Sequence, residues 1–250
     1  MRFRVLTYNI HRAIGVDRRF RPERIVRIID HHQADIVLLQ EVDEGAPRSR
    51  EMDLARSLAD DLGFPHRAMG HNVTLRKGRY GNATLSKHPI LSERNIDLTI
   101  ELWKRRGCQH TAIGLQDGAS GGLSQTRLDV FNLHLGLSAR HRARQIELLA
   151  RSGEMSDLSP EAPCLVGGDF NDWRSLLMPF LTGGMNFRSA TESTGRGRPL
   201  LTYPSFFPRG ALDRIYYRGP LALLSAYRCR LRLSRVASDH LPIVADFETF

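Results

Sequence analysis

Nearly every short apolar run in this chain closes on an asparagine, a carboxylate or a histidine, and that repetition constrains its fold more than any single motif. Residues 2–10 alternate short apolar side chains and deliver Asn9. Residues 35–39 are apolar after Asp35 and lead into Gln40-Glu41. Residues 127–135 carry His134, 163–168 run into Asp169 and Asn171, and 212–217 hold Asp213. Asp239-His240 stand just before the run at 242–247. Such runs suit strands covered on both faces. If these strands share a sheet, their polar ends converge on one rim, and a rigid scaffold of that kind is where functional residues concentrate.

Helical spacing separates the runs. Pro22 suits a helix start, with Ile25, Ile28 and Ile29 on the buried face. Leu54, Leu58 and Leu62 mark a second helix, stopped by Gly63. Residues 138–155 predict a third, with Ile146, Leu149 and Ala150 inward and its arginines outward. Further strands are expected at 82–86, 90–98, 109–115 and 223–232. Residues 118–122 read as a flexible hairpin tip, and 194–198 as a Gly/Arg-rich loop. There is no repeat or linker, so residues 1–250 form one domain, an α/β sandwich of two mixed sheets with helices packed outside. A chain of this length buries roughly 70–75% of its unfolded surface.

The net charge of +9, mostly from arginine, attracts polyanions, anionic membrane surfaces and phosphate-bearing substrates. Three scattered cysteines make neither a disulfide framework nor a zinc site. No apolar run nears the ~20 residues a bilayer span needs. The N-terminus lacks a signal-peptide core, so the protein is expected in the cytoplasm, as a monomer.

Each polar residue taken singly has a plain alternative. Asn9 suits a turn, His134 a buried histidine, Asp213 a charge paired with Arg214, and Asp239-His240-Leu241-Pro242 a turn before the last strand. Jointly, those alternatives need unrelated reasons for acids, amides and histidines to cap almost every buried strand. Hydrolysis of a phosphate ester explains them together. Glu41 and Asp239, helped by Asn9, offer the hard oxygen ligands that Mg²⁺ prefers, and no cysteine accompanies the histidines at zinc spacing. Asp169 is the candidate to orient or deprotonate water, with Asn171 donating to a phosphate oxygen. Asp213 with His240 is the natural acid/base pair, and His134 serves the phosphate or acts as a second acid.

The same segments carry a resemblance. They are Thr-Tyr-Asn-Ile-His (7–11), Leu-Gln-Glu-Val (39–42), Gly-Asn-Ala-Thr-Leu-Ser-Lys-His-Pro-Ile (81–90), Asn-Leu-His-Leu (132–135), Gly-Gly-Asp-Phe-Asn (167–171), Leu-Asp-Arg-Ile (212–215) and Ser-Asp-His-Leu-Pro (238–242). In this order, across nearly the whole chain, they resemble the endonuclease/exonuclease/phosphatase superfamily, the DNase I-like fold. The resemblance implies a four-layered α/β sandwich and a Mg²⁺ or Mn²⁺ cofactor. It also implies metal ligation at Glu41 with Asn9 and Asp239, phosphate binding and activation at Asp169 and Asn171, and an Asp213–His240 acid/base pair. Tyr80 and Arg106 fall near substrate-contacting positions of the family, with core packing and a solvated charge as their plain alternatives. The opening Tyr-Asn-Ile-His and compact length are most similar to small bacterial phosphodiesterase members.

A superfamily of this breadth does not fix a substrate. The leading expectation is a metal-dependent phosphodiesterase acting on a phospholipid head group or another small diester. A DNA or RNA endonuclease is the alternative, favoured by arginines such as Arg48, Arg50, Arg76, Arg79, Arg105 and Arg106. Few aromatics interleave with them for base stacking. A phosphomonoesterase and a non-catalytic binding module come behind, since every position the chemistry needs holds a suitable residue.

Overall fold

The computed structural model describes residues 1–101, 104–116, 126–192 and 199–250. The expected hairpin tip at 118–122 and the loop at 194–198 lie outside them. Among the described residues, twelve strands build two six-stranded sheets. The first sheet holds β1 (Arg2–Asn9), β2 (Ile36–Glu44), β3 (His66–Thr74), β4 (Arg79–Ser86), β11 (Leu221–Arg228) and β12 (Ile243–Thr249), in the order β11-β12-β1-β2-β4-β3. The second holds β5 (Ile90–Asp97), β6 (Gly107–Leu115), β7 (Thr126–His134), β8 (Cys164–Asp169), β9 (Arg188–Ser189) and β10 (Asp213–Arg218), in the order β5-β6-β7-β8-β10-β9. Each sheet is mixed. β1 runs parallel to β2 and β7 parallel to β8, while the other pairings are antiparallel.

The two-residue alternation of the strands explains the layering. Phe3 and Val5 of β1, and Ile36 and Leu38 of β2, face the second sheet, where they meet Leu128, Val130, Leu165 and Ile215. The intervening Leu6, Tyr8, Val37 and Leu39 face outward against α1 (Pro22–His32) and α2 (Leu54–Leu62). On the far side Phe131, Leu133, Val166 and Tyr216 pack on Ile146 and Leu149 of α3 (Ala139–Arg151). The layers are therefore helix, sheet, sheet, helix, the four-layered sandwich expected from the sequence.

The helix ends follow local chemistry. Asp53 caps α2 by accepting the Arg56 N–H at 3.0 Å, and Gly63 ends it in the left-handed conformation. Pro22 stands in the first turn of α1. In α3, Ile146 and Leu149 are buried, but so is Arg142, against the expectation that the arginines of this helix point outward. Its guanidinium lies 3.5 Å from the buried Asp172 and donates to the Leu137 carbonyl, so the ion pair compensates its loss of water.

Candidate active site

The inner faces of both sheets change character along their length. On β1 the series Phe3, Val5 gives way to Thr7 and Asn9, and on β2 Ile36 and Leu38 give way to Gln40. On β7, Leu128 and Val130 are followed by Asn132 and His134. Strand alternation puts each of these series on one face. The polar members bond across the sandwich: Gln40 Nε2 donates to Asn132 Oδ1 at 2.8 Å, and Asn132 Nδ2 donates to the carbonyls of Leu39 and Ala83. The inter-sheet layer is thus hydrocarbon at one end and a hydrogen-bonded polar network at the other, in which Gln40 Oε1 is left without a partner. The candidate residues stand where that network reaches the rim.

Register does much of the positioning. In the second sheet His134 pairs with Asp169, and Asp169 with Asp213, so three side chains from β7, β8 and β10 lie abreast. Gly167 and Gly168 permit this arrangement. A Cβ at Gly167 would sit 2.8 Å from the Leu38 methyl of the facing sheet. At Gly168, with φ of +136°, a Cβ would sit 2.0 Å from the Leu133 carbonyl oxygen. The first sheet brings Asn9, whose Nδ2 donates to Asp169 Oδ2 at 3.0 Å. Asn171, left-handed at φ 51°, donates its N–H to Asp169 Oδ1 at 2.9 Å and its amide to the Leu135 carbonyl.

His240 arrives on the turn before β12. Ser238 holds that turn by donating its hydroxyl to the Asn9 carbonyl at 2.7 Å and accepting the His240 N–H at 3.2 Å. His240 Nδ1 lies 2.8 Å from Asp213 Oδ2, and Nε2 lies 3.7 Å from Asp169 Oδ2. Burial alone would lower its pKa. The Asp213 and Asp169 carboxylates outweigh that and raise it to about 10, making His240 an imidazolium at neutral pH. Burial likewise lifts Asp169 to about 6, against the pull of His240. His134 Nε2 lies 3.5 Å from Asp169 Oδ2, yet burial and the nearby charges of Arg106, His240 and Lys104 hold it well below the ordinary range, so it is neutral.

Glu41 is placed by a feature the sequence does not announce. β2 does not end at Gln40-Glu41 but continues to Glu44, and its register against β4 slips between Leu39 and Val42. Glu41 occupies that bulge at φ 56°. Facing it, His11, Arg12 and Ala13 are all left-handed, a run of non-glycine residues costing roughly 1–3 kcal/mol each. This run brings Arg12 Nε within 3.6 Å of Glu41 Oε2, too far for a hydrogen bond.

Among the described residues, one cluster brings three candidate metal ligands together. Asp169, Asp213 and His240 each bring a ligand atom within 4.8 Å of the others. There, however, the imidazolium offsets one of the two carboxylate charges and, protonated on both nitrogens, offers no lone pair to a metal. Glu41 and Asp239 are more open. Among the described residues the Glu41 carboxylate meets only the Arg12 guanidinium, and Asp239 Oδ1 meets only the Ser238 hydroxyl, at 3.4 Å.

Arg106 and Lys104 lie near His134, where their charges help to lower its pKa, and Tyr80 adjoins Lys104. Tyr80 is buried, with the Arg48 guanidinium and the Lys104 ammonium 5.4 and 5.5 Å from its ring centre. Arg48 is anchored to Asp43 by two bonds of 2.7 and 2.8 Å. Arg106 borders a cleft of about 370 Å³ lined also by Ile100, Lys104, Gly136, Leu137 and Gln145. Arg214 is not the partner of Asp213, since it bonds Glu192 and Ser175 instead. Sequence reasoning gives no role to Ser238, to Arg12, or to Tyr203, whose ring centre lies 4.9 Å from that of His240. Of these, Ser238 carries a readable signal, a hydroxyl two residues before a histidine in a turn.

The Endonuclease/Exonuclease/phosphatase family profile matches residues 6–240. The uncharacterized protein YbhP of Escherichia coli K12 is 32% identical over 255 residues, covering 98% of this chain and 95% of that protein. A Bacteroides vulgatus endonuclease/exonuclease/phosphatase structure superposes over 100% of both chains with a TM-score of 0.77 and 20% identity. The structure of ANGEL2, a 2′,3′-cyclic phosphatase, covers 99% of this chain and 95% of its own, with a TM-score of 0.73 and 20% identity.

Proposed function

This chain belongs to the endonuclease/exonuclease/phosphatase family, and we propose that within it the protein is a Mg²⁺- or Mn²⁺-dependent phosphodiesterase. The observation that carries this reading is a buried imidazolium, His240, held between the carboxylates of Asp213 and Asp169 at the mouth of the sandwich.

Asp213 fixes the ring through Nδ1 and leaves Nε2 facing the open end of the site. A proton held there suits a phosphoryl oxygen or a departing alkoxide. Asp169 is held by Asn9 and by the Asn171 N–H, and its pKa of about 6 puts it near the range where a carboxylate accepts a proton from water at neutral pH. Neutral His134 and the second amide hydrogen of Asn171 offer donors to a phosphate without the cost of neutralising another charge.

We assign metal ligation to Glu41 and Asp239, helped by Asn9 Oδ1, which also accepts the His11 N–H at 3.0 Å, because such hard oxygens suit Mg²⁺ or Mn²⁺. Such an ion would neutralise phosphoryl oxygens and stabilise the leaving oxygen. The cleft beside Arg106 gives room for one diester substituent, a phospholipid head group or another small alcohol. The 2′,3′-cyclic phosphate named for ANGEL2 is itself a diester and supports the class.

The test is hydrolysis of bis-p-nitrophenyl phosphate beside p-nitrophenyl phosphate, with Mg²⁺, with Mn²⁺ and with EDTA. His240→Ala is run in parallel. Diester cleavage lost in EDTA and reduced about 10²–10⁴-fold in the variant is expected. Preference for the monoester, or full activity in His240→Ala, would overturn the reading.

A further inference from the structure

The strands of both sheets deliver the candidate active site at one end of the sandwich, and the loops leaving that end carry an unusual surface. Val16, Trp173, Leu176, Phe206, Phe207 and Val236 are all more than a third exposed, Phe206 reaching 64%. Exposed apolar residues scattered singly need no explanation, but contiguous ones mark an interaction site. These stand on loops that adjoin one another. The Trp173 ring lies 5.7 Å from the Tyr203 ring and so close to Gly210 that a Cβ there would fall 2.8 Å from it. Phe206 and Phe207 form the tip of the 203–210 loop, which is closed by the Arg209 and Gly210 N–H groups on the Tyr203 carbonyl. Ser205 donates to the Arg235 carbonyl, and the Val236 carbonyl accepts the Val16 N–H at 3.0 Å. The four loops are thus stitched side by side with their apolar tips outward.

Positive charge predominates on this rim: Asp17 beside Val16 is paired with Arg24 at 2.8 Å, and Asp172 beside Trp173 is buried against Arg142. From Pro199 to Leu212 and from Leu221 to Ser238 the sequence contains no acidic residue, yet it carries Arg209, Arg228, Arg230, Arg232 and Arg235. The Arg228 pKa is lowered by burial and by the proximity of Arg230 and Arg235, so the cations crowd one another. Arg209 lies 4.6 Å over the Phe207 ring.

We infer that this rim docks on an anionic lipid bilayer, so that the active site works at the membrane surface. Apolar tips interleaved with arginine are what binds an acidic interface, through burial of the tips and attraction of the cations. Val16, Leu176 and Val236 have no ring to stack on a base, and one face of Phe207 is already covered by Arg209, so single-stranded nucleic acid fits less well. Docking would set His240 beneath Tyr203 and Trp173, directly behind the inserted rim. The docking itself is independent of the chemistry, whereas the claim that the diester comes from the membrane rests on the phosphodiesterase reading.

The experiment is co-sedimentation of the full chain with vesicles of phosphatidylglycerol and phosphatidylcholine, and with phosphatidylcholine alone. Wild type is compared with Phe206→Ser/Phe207→Ser and with Arg230→Gln/Arg235→Gln, and each is assayed on the soluble chromogenic diester. We expect binding to the acidic vesicles, at least tenfold weaker for the phenylalanine pair. Each arginine near an anionic surface contributes roughly fivefold, so the arginine pair should also bind more weakly. Equal binding of wild type and both variants overturns the docking. So does absence of vesicle binding by a wild type that cleaves the soluble diester, or phenylalanine-dependent binding of a single-stranded oligonucleotide in its place. Vesicle binding without diester cleavage upholds the docking and overturns the phosphodiesterase reading instead.

Discussion

Replacing Asp213 by Asn tests the electrostatics of the site with almost no change of shape. The carboxylate contacts His240 Nδ1 at 2.8 Å in a fully buried setting. With charge centres about 4 Å apart and an effective dielectric near 20, the attraction is about 4 kcal/mol. That equals about three pH units, and together with Asp169 and Asp239 it outweighs the burial that would lower the pKa, for a net rise from 6.5 to about 10. In Asp213→Asn the burial that lowers this pKa stays, and Asp169 and the weaker pull of Asp239 are left to oppose it. The imidazole should therefore lose its proton about three pH units earlier, near neutrality. The amide brings a second penalty. Asp213 Oδ1 is buried without a hydrogen-bond partner, so an amide nitrogen placed there is unsatisfied, and one turned toward Nδ1 forces the other tautomer. The assay is the ring ¹⁵N shift of His240 against pH in EDTA-treated protein, assigned by difference with His240→Gln, beside diester turnover in Mg²⁺. A transition unchanged near pH 10, or turnover within twofold of wild type, would refute the ion-pair account.

Two further outcomes follow from the same structure. The folded-state pKa values of His240 and Asp169 are both raised, so the stability His240 contributes is complete below 6.5 and lost as pH rises through about 10, and that of Asp169 is lost as pH rises from about 4 to about 6. Chemical denaturation at a series of pH values should show stability falling through both windows, and a rise between 7 and 10 would contradict the assignment. Asn132→Ala removes the partner of the Leu39 and Ala83 carbonyls and of the Gln40 amide. At roughly 1 kcal/mol for each, the loss is about 3 kcal/mol in urea unfolding, and a loss under 1 kcal/mol would mean the polar layer is replaceable.

The strands with both faces buried are legible because nothing but hydrocarbon, ended by a polar group, satisfies them. β3 does not read as a strand of its own. Its sequence His-Arg-Ala-Met-Gly-His-Asn-Val-Thr lacks alternation because it lies at a sheet edge, half-buried, with a register shift between His71 and Val73. β11 stops at Arg228 rather than continuing to 232, because its partner β12 begins at Ile243 and Pro242 before it has no N–H to extend the ladder. In sequence Arg142 is one more outward arginine, and only the three-dimensional position of Asp172 explains its burial. Among the site residues, the strand-end positions can be read as a set. The bulge that turns Glu41 and the left-handed run that aims Arg12 at it leave no local signal, because no glycine marks them.

The active site is best understood as the end of the core rather than as an addition to it. Along the inner faces, the same alternation that buries Val5, Leu38 and Val130 carries Asn9, Gln40, His134 and Asp169 into equally dry positions. Dryness has a cost that each polar group must offset with a specific partner. Asn132 is tied to both sheets, Asn9 to Asp169, and His240 to Asp213. Because every partner is fixed, the charges cannot relax, and burial then acts on the groups that must titrate. It lifts Asp169 toward neutral pH and keeps His134 uncharged, while the carboxylates around His240 keep it charged. Two histidines at 3.5 and 3.7 Å from one carboxylate oxygen thus hold different protonation states at one pH. That division between proton acceptor, neutral donor and cation suits the proposed phosphodiester cleavage, and it follows from extending the sandwich's own packing by one polar layer.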